Sequence, residues 1–272
     1  LLEALSDHGG AVDAREIAGG VVEIIAEGVD LATLRAAIDT HLGKTDALIT
    51  PHRPVVPRLF VSDMDSTMIS AECIDELADF AGLKPQIAAI TERAMQGELD
   101  FRAALTERVA LLKGLSEDAI AQCLAERIRP MTGARVLVQT LLAKGCRTVL
   151  VTGGFHQFAD PVAETLGFQR VVGNRLDVAD GKLTGGLVGA ISDSATKRAA
   201  LLEEAARLGE NVPTLATGDG ANDIPMIEEA TYGIAFDAKP KARAAANGWI
   251  DRGDLTAILR LLGVAEKDWV LG

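Results

Sequence analysis

Two acidic turns, far apart in the chain, carry the residue types that phosphate chemistry needs. The first is Asp63-Met64-Asp65-Ser66-Thr67, two carboxylates with one residue between them. It follows the apolar, β-branched run 55–62, which predicts a buried strand ending at the motif. Open α/β sheets present their chemistry at strand ends. An aspartate there can attack phosphorus and carry an acyl-phosphate, provided a cation offsets the charge of both partners. A second carboxylate two residues on can protonate the leaving oxygen, worth about 10²–10⁴ in rate. Once deprotonated, the same group can activate the hydrolytic water. The second turn, Gly218-Asp219-Gly220-Ala221-Asn222-Asp223, also follows an apolar strand. Mg²⁺ is usually held by one or two carboxylates plus waters and phosphate oxygens. Asp63 and Asp219 fit that pattern, with Asp223 holding a ligand water or orienting the ligands. Each turn alone is weak, since acidic and glycine-rich turns are common. A dinucleotide fingerprint is a poorer match, because G-x-G-x-x-G needs glycine where Asp223 stands.

Three further features fit an anionic substrate. Thr152-Gly153-Gly154 follows an apolar strand, and a hydroxyl beside free backbone N–H groups at a helix start forms an anion site, although many such triplets are only turns. Lys197 falls in the first turn of a helix for which Ser194 is the expected N-cap. The helix dipole disfavours a cation there by a few tenths of a kcal/mol; a solvated lysine tolerates this, and a lysine that neutralises phosphate explains it better. Phe101, Leu105 and Arg108 share one helical stripe, an apolar face with a cation at its end. Arg108 can grip a carboxylate bidentately and Glu72 can meet an ammonium, together specifying an amino acid; charged residues on helices are also commonly just solvated.

The 272 residues allow one or two domains and a sizeable core, and with 48% hydrophobic but 4% aromatic residues that core is aliphatic. A net charge of -12 argues against nucleic acid or an anionic membrane as partner. It also requires local positive charge wherever an anion binds. Three dispersed cysteines fit reduced thiols in a cytoplasmic protein, and four histidines without ligand spacing weaken a zinc reading. No apolar run approaches the roughly 20 residues of a membrane span. The chain opens on Leu1-Leu2, so further residues are expected before it.

Elements that position these groups can be read in order. Residues 1–52 predict a small α/β module: a helix end, an extended stretch at 21–25, a helix over 31–41 and a short strand at 47–49. Pro51, Pro54 and Pro57 read as a linker to a second domain, 53–272. Within that domain, helices are expected at 72–81, 85–96, 101–113 and 116–128, with Asp100 and Ser116 as N-caps and Gly82 and Gly114 as stops. Four helices between strands suggest a cap inserted at about 72–130. Strands at 148–151, 214–216 and 232–236 alternate with helices, which favours a doubly wound, mostly parallel sheet. A turn at Asp180-Gly181-Lys182 predicts a hairpin appended to that sheet.

These motifs together resemble the haloacid dehalogenase-like phosphohydrolases. The match rests on Asp63-Met64-Asp65-Ser66-Thr67-Met68-Ile69, Thr152-Gly153-Gly154, Lys197 and Gly218-Asp219-Gly220-Ala221-Asn222-Asp223. The stretches around Glu72, Arg93 to Phe101 and Arg108 resemble the phosphoserine phosphatases within that superfamily. The resemblance implies an α/β Rossmann-like fold with a helical cap, and Mg²⁺-dependent hydrolysis of O-phospho-L-serine, the last step of phosphorylated serine biosynthesis. It implies Asp63 as nucleophile and metal ligand, Asp65 as acid/base offering its carbonyl to the metal, and Asp219 as the remaining protein ligand. Thr152, Gly153, Gly154, Lys197 and Asn222 would hold the phosphate. Glu72 and Arg108 would bind the serine ammonium and carboxylate, with Met95 and Phe101 walling the pocket. Thr152 stands where serine is commoner and keeps the hydroxyl. The N-terminal module looks ACT-like but truncated, and the assembly is expected to be a monomer or homodimer.

Rival readings make different demands. A receiver that keeps its phospho-aspartate needs neither a second acid two residues on nor a helical cap. An ion pump with such motifs needs membrane spans. Another small-metabolite phosphatase, or a phosphotransferase, stays open on spacing alone.

Overall fold

The computed structural model describes residues 1–7, 12–17 and 19–271, and of Met95 the backbone alone; the pocket wall expected of the Met95 side chain lies outside the described residues. The chain begins with α1 (Leu2–Ser6), the antiparallel hairpin β1 (Val12–Ile17) and β2 (Val21–Ala26), and α2 (Leu31–Leu42). Asp30 caps α2 by accepting the Thr33 N–H at 2.9 Å. The short strand β3 (Ala47–Leu48) departs from the expected module, because it pairs with the main sheet. Strand β4 (Leu59–Ser62) is fully buried but starts four residues later than the apolar run predicted. Pro57 has no N–H for a ladder, and the Val55 N–H turns instead to the Tyr232 hydroxyl at 3.0 Å.

Between β4 and the next strand of the sheet lie α3 (Cys73–Phe80), α4 (Lys84–Met95), α5 (Phe101–Leu111) and α6 (Glu117–Arg127), the expected helical insert. Asp100 and Ser116 cap α5 and α6 through their side chains. Helix α7 (Ala134–Ala143) then leads into β5 (Arg147–Phe155), α8 (His156–Leu166) and β6 (Arg170–Asn174). Strands β7 (Leu176–Ala179) and β8 (Lys182–Leu187) follow, joined through Asp180 and Gly181 at φ 50° and 71°, the left-handed pair that a tight hairpin turn requires. The hairpin is not appended to the main sheet, as the sequence suggested, but forms a separate two-stranded sheet held by the insert. Its Leu183 N–H donates to Leu115 O, and Leu183 O accepts from the Gly114 N–H, both at 2.8 Å. Gly185 permits this approach, since a Cβ there would stand 3.0 Å from Lys113 Cβ.

The chain closes with α9 (Ser194–Leu208), β9 (Thr214–Gly218), a 3-10 turn (Ala221–Asp223), α10 (Ile224–Glu229), β10 (Tyr232–Phe236), α11 (Pro240–Ala245), β11 (Gly248–Ile250) and α12 (Thr256–Leu261). Among the described residues the main sheet has seven strands in the order β3-β11-β10-β9-β4-β5-β6, parallel except for β3. Alternating side chains serve two cores. Phe60, Leu150, Leu215 and Ile234 join α7, α8 and α12, while Leu59, Val61, Val149 and Ala216 face α9 and α10. The fold is thus the expected doubly wound α/β sheet. The N-terminal segment docks through Arg35 of α2, whose guanidinium lies 4.6 Å from the Trp249 ring; Arg243 stacks against the same ring at 4.6 Å.

Candidate functional site

Strands β9, β4 and β5 are neighbours, so the groups at their C-terminal ends converge without any long-range coincidence. From β4 the chain moves to β5 on one side and returns to β9 on the other, the switch point at which open sheets form a crevice. Asp63 continues β4 by one residue, its N–H donating to Thr217 O at 3.0 Å. Asp219 follows β9 in the same way, and Thr152 lies near the end of β5. Both acidic turns therefore meet at one end of one sheet.

Asp63, Asp219 and Asp223 are buried, and each offers a carboxylate oxygen within 4.8 Å of the others. An all-oxygen set of three carboxylates fits a hard divalent cation, as in metal sites of this chemistry. Asp223 is already committed, with Oδ1 bonded to Lys197 Nζ at 2.7 Å and Oδ2 accepting the Gly220 N–H at 3.0 Å. Asp63 uses Oδ1 for Lys197 at 2.6 Å, leaving Oδ2 without a hydrogen bond among the described residues. The turn has no slack: a Cβ on Gly218 would fall 2.3 Å from Asp223 Cγ.

Lys197 enters this cluster from the fourth position of α9. The N-cap is Asp193, one residue before the expected Ser194, and it forms a reciprocal capping box with Thr196. Burial works against the Lys197 ammonium, yet the charges of Asp63 and Asp223 outweigh it and raise its pKa. Burial pushes the Asp63 carboxyl well above its ordinary value, with Lys197 opposing and Asp223 adding to the rise. One ammonium does not offset two buried carboxylates, so the cluster retains a demand for positive charge. Lys197 sits behind Asp63 and does not line the cavity.

Asp65 turns toward the insert. Its Oδ1 accepts the Cys73 N–H at 3.1 Å, its Oδ2 meets the Thr152 hydroxyl at 3.5 Å, and no described hydrogen bond ends on its carbonyl. A Cβ on Gly154 would stand 2.9 Å from that Oδ2, so only glycine leaves room for the acid. Thr152-Gly153-Gly154 is not the helix start the sequence suggested. It is the extended end of β5, with α8 beginning at His156, and the Gly154 N–H is taken by the Thr152 hydroxyl at 2.8 Å. Burial first, and then the Glu72 charge, push Asp65 up to about 6. The folded chain therefore holds this proton more tightly than the unfolded chain does, and the group's contribution to stability falls as pH rises from 3.8 through about 6. Substituting Glu72→Gln removes the like charge, so the Asp65 midpoint in metal-free protein should drop. An NMR titration following the Cys73 amide reads this directly, and an unmoved midpoint would contradict the assignment.

Above these groups the insert closes a cavity of about 280 Å³. Glu72 is the N-cap residue of α3, and its Oε1 accepts the Ser66 hydroxyl at 2.9 Å. Phe101, Leu105 and Arg108 line the cavity from α5 along the predicted stripe. Phe101 Cζ lies 3.2 Å from where a Gly153 Cβ would stand, so the insert rests on the strand end. Among the described residues the one side-chain hydrogen bond of Arg108 runs from Nε to Ala104 O at 3.3 Å, leaving its terminal nitrogens for a ligand. Asn222 also faces the cavity. Sequence reasoning missed Lys239, Ile74 and Phe155 in the lining. Lys239 follows the end of β10, and only the strand order, which sets β10 beside β9, brings it to the site. It likewise missed Asn174, buried at the end of β6, which donates to Gly153 O at 2.7 Å and accepts the Ser192 N–H at 2.8 Å. That amide ties the Thr152–Gly154 strand end to the approach to α9; a lone asparagine carries no sequence signal.

Known proteins resemble this chain in sequence and fold. Residues 60–228 match the family model described as haloacid dehalogenase-like hydrolase. The chain is 47% identical over 213 residues to a phosphoserine phosphatase of Streptococcus thermophilus, covering 78% of this chain and 99% of that protein. A probable phosphoserine phosphatase from Vibrio cholerae, solved unliganded, superposes with TM-score 0.78 at 35% identity, covering 98% of this chain and 84% of that one. A phospho-aspartyl intermediate analogue of phosphoserine phosphatase gives TM-score 0.69 at 38% identity, over 75% of this chain and 98% of that one. Carrying both acidic turns on the matching sheet, the chain belongs to the haloacid dehalogenase-like hydrolase family, among its phosphoserine phosphatases.

Proposed function

We propose that this protein hydrolyses O-phospho-L-serine to L-serine and phosphate through an aspartyl-phosphate on Asp63, with Mg²⁺ as the cation. The observation that carries the reading is the single cavity in which Asp63, Asp65 and Asp219 face Glu72 and Arg108 of the helical insert. Asp63 Oδ2 attacks phosphorus, the ester P–O bond breaks, and Asp65 gives its proton to the departing serine oxygen. Its raised pKa suits it to hold that proton. Water then attacks the phosphoryl group while the Asp65 carboxylate takes up a proton, releasing phosphate and restoring Asp63. Asp63, Asp219 and the Asp65 carbonyl would hold the metal, with Asp223 orienting them. Bound there, Mg²⁺ supplies the positive charge that lets a carboxylate approach a phosphoryl group. Thr152, Gly153, Gly154 and Asn222 are assigned to the phosphate side, and Lys197, bonded to Asp63 Oδ1, to the charge of the phosphoryl group carried on that aspartate. Phe101 closes the pocket, and excludes water as lids do.

Residues 1–52 and 53–272 are proposed as two domains, with β3 reaching across to anchor the first on the second. A cytoplasmic location is proposed from three free, buried cysteines. No described helix is long and apolar enough to cross a membrane.

Arg108 decides the substrate. Arg108→Ala should cost about 1.5–3 kcal/mol on phosphoserine, roughly 10- to 100-fold in kcat/KM. Phosphoethanolamine, which lacks the carboxylate, should lose little. Comparable losses on both esters would overturn the assignment of serine's carboxylate to Arg108.

A further inference from the structure

The three clustered carboxylates are paired with two lysines, and the two are built differently. Lys197 is buried at 1% exposure and serves Asp63 and Asp223. Asp219 is paired, among the described residues, with Lys239, whose Nζ lies 3.2 Å from its Oδ2 and whose side chain is 69% exposed. The Lys239 main chain is fixed independently of that side chain: its N–H donates to Asp219 O at 2.9 Å, and Pro240 opens α11 directly after it. The backbone is thus anchored on the acidic turn while the ammonium is free to swing.

The cavity lining explains why a swinging cation matters. Asp63, Asp65, Glu72 and Asp219 face it, against Arg108 and Lys239 as the cations. A divalent ion on Asp219 repels an ammonium from the same carboxylate, so the two compete for it. An incoming phosphorylated anion, in a protein of net charge -12, then offers that ammonium its natural partner.

We propose that Lys239 is an exchanging cation: it neutralises Asp219 before the metal binds, and afterwards turns into the cavity to hold the anion of the bound ester or of product phosphate. The second half rests on the phosphatase reading; the first does not.

The test is Lys239→Gln, with circular dichroism to confirm folding, and calorimetric titration in two arms. Mg²⁺ alone should bind the variant about two- to fivefold more tightly than the wild type, the worth of an exposed ion pair removed from competition. Inorganic phosphate, titrated at saturating Mg²⁺, should bind about three- to tenfold more weakly, and Lys239→Arg should restore it. Mg²⁺ affinity that is unchanged or weaker overturns the exchange, and unchanged phosphate affinity overturns the turn into the cavity. Because the Mg²⁺ arm contains no ester, a wild-type protein inactive on phosphoserine would sink the substrate assignment and leave that arm standing.

Discussion

Asp63→Asn should give a folded protein whose release of phosphate from O-phospho-L-serine is lower by roughly 10⁴–10⁶ in kcat, as when other enzymes lose a nucleophile. The amide has nearly the shape of the carboxylate, but its nitrogen is no nucleophile and its oxygen no acyl-phosphate acceptor. Folding should survive, because Lys197 keeps Asp223 at 2.7 Å and the buried cluster loses the carboxylate that its single ammonium left under-compensated. Rapid-quench mass spectrometry makes the result specific: wild-type protein should gain a phosphoryl group on Asp63, and the variant none. Turnover at the wild-type rate would end the phospho-aspartate account.

Lys197→Met should damage stability as well as activity. It strands Asp63 and Asp223 without a cation inside the protein, and breaking a buried pair in this way costs about 3–5 kcal/mol. The pH dependence has a definite sign. In the wild type the ammonium's pKa is raised above 10.5 by its two partners, so its contribution is complete below 10.5 and is lost as pH rises from there through the folded value. In the variant the buried Asp63 carboxyl, its cation gone, holds its proton more tightly folded than unfolded. Stability then falls as pH rises past 3.8, and the variant should recover toward the wild type in acid. Urea unfolding at pH 7 and near pH 4 measures both effects. A variant as stable as the wild type at pH 7 would mean that the cluster carries no charge.

The parts of this molecule that were legible in the sequence are those set by local chemistry. Asp100 and Ser116 cap the helices they preceded because a short polar side chain before an apolar-periodic run has few other uses. The Phe101, Leu105 and Arg108 stripe reaches the cavity because helical geometry puts offsets of four and seven on one face. What was misread depends on partners distant in sequence. Ala47–Leu48 pairs with β11, about two hundred residues away, so its own neighbours gave no hint of membership in the main sheet. The β7–β8 hairpin attaches to the insert through Leu115 and Gly114, a choice made by packing rather than by its turn. Ser194 and Asp193 are both good capping residues, and the reciprocal bonds with Thr196 select the second. Lys239 belongs to the site through the order of strands, which periodicity does not encode.

The stacking of Arg35 and Arg243 on the Trp249 ring makes the attachment of α2 optically visible. This indole is wholly buried, and the chain's other tryptophan, Trp269, stacks on Arg260 at 5.1 Å. If α2 lifts from the sheet edge, one ring face of Trp249 meets water and its emission moves to longer wavelength, while Trp269 holds its environment. Native fluorescence thereby reports the seating of the first forty residues on the catalytic sheet without a label.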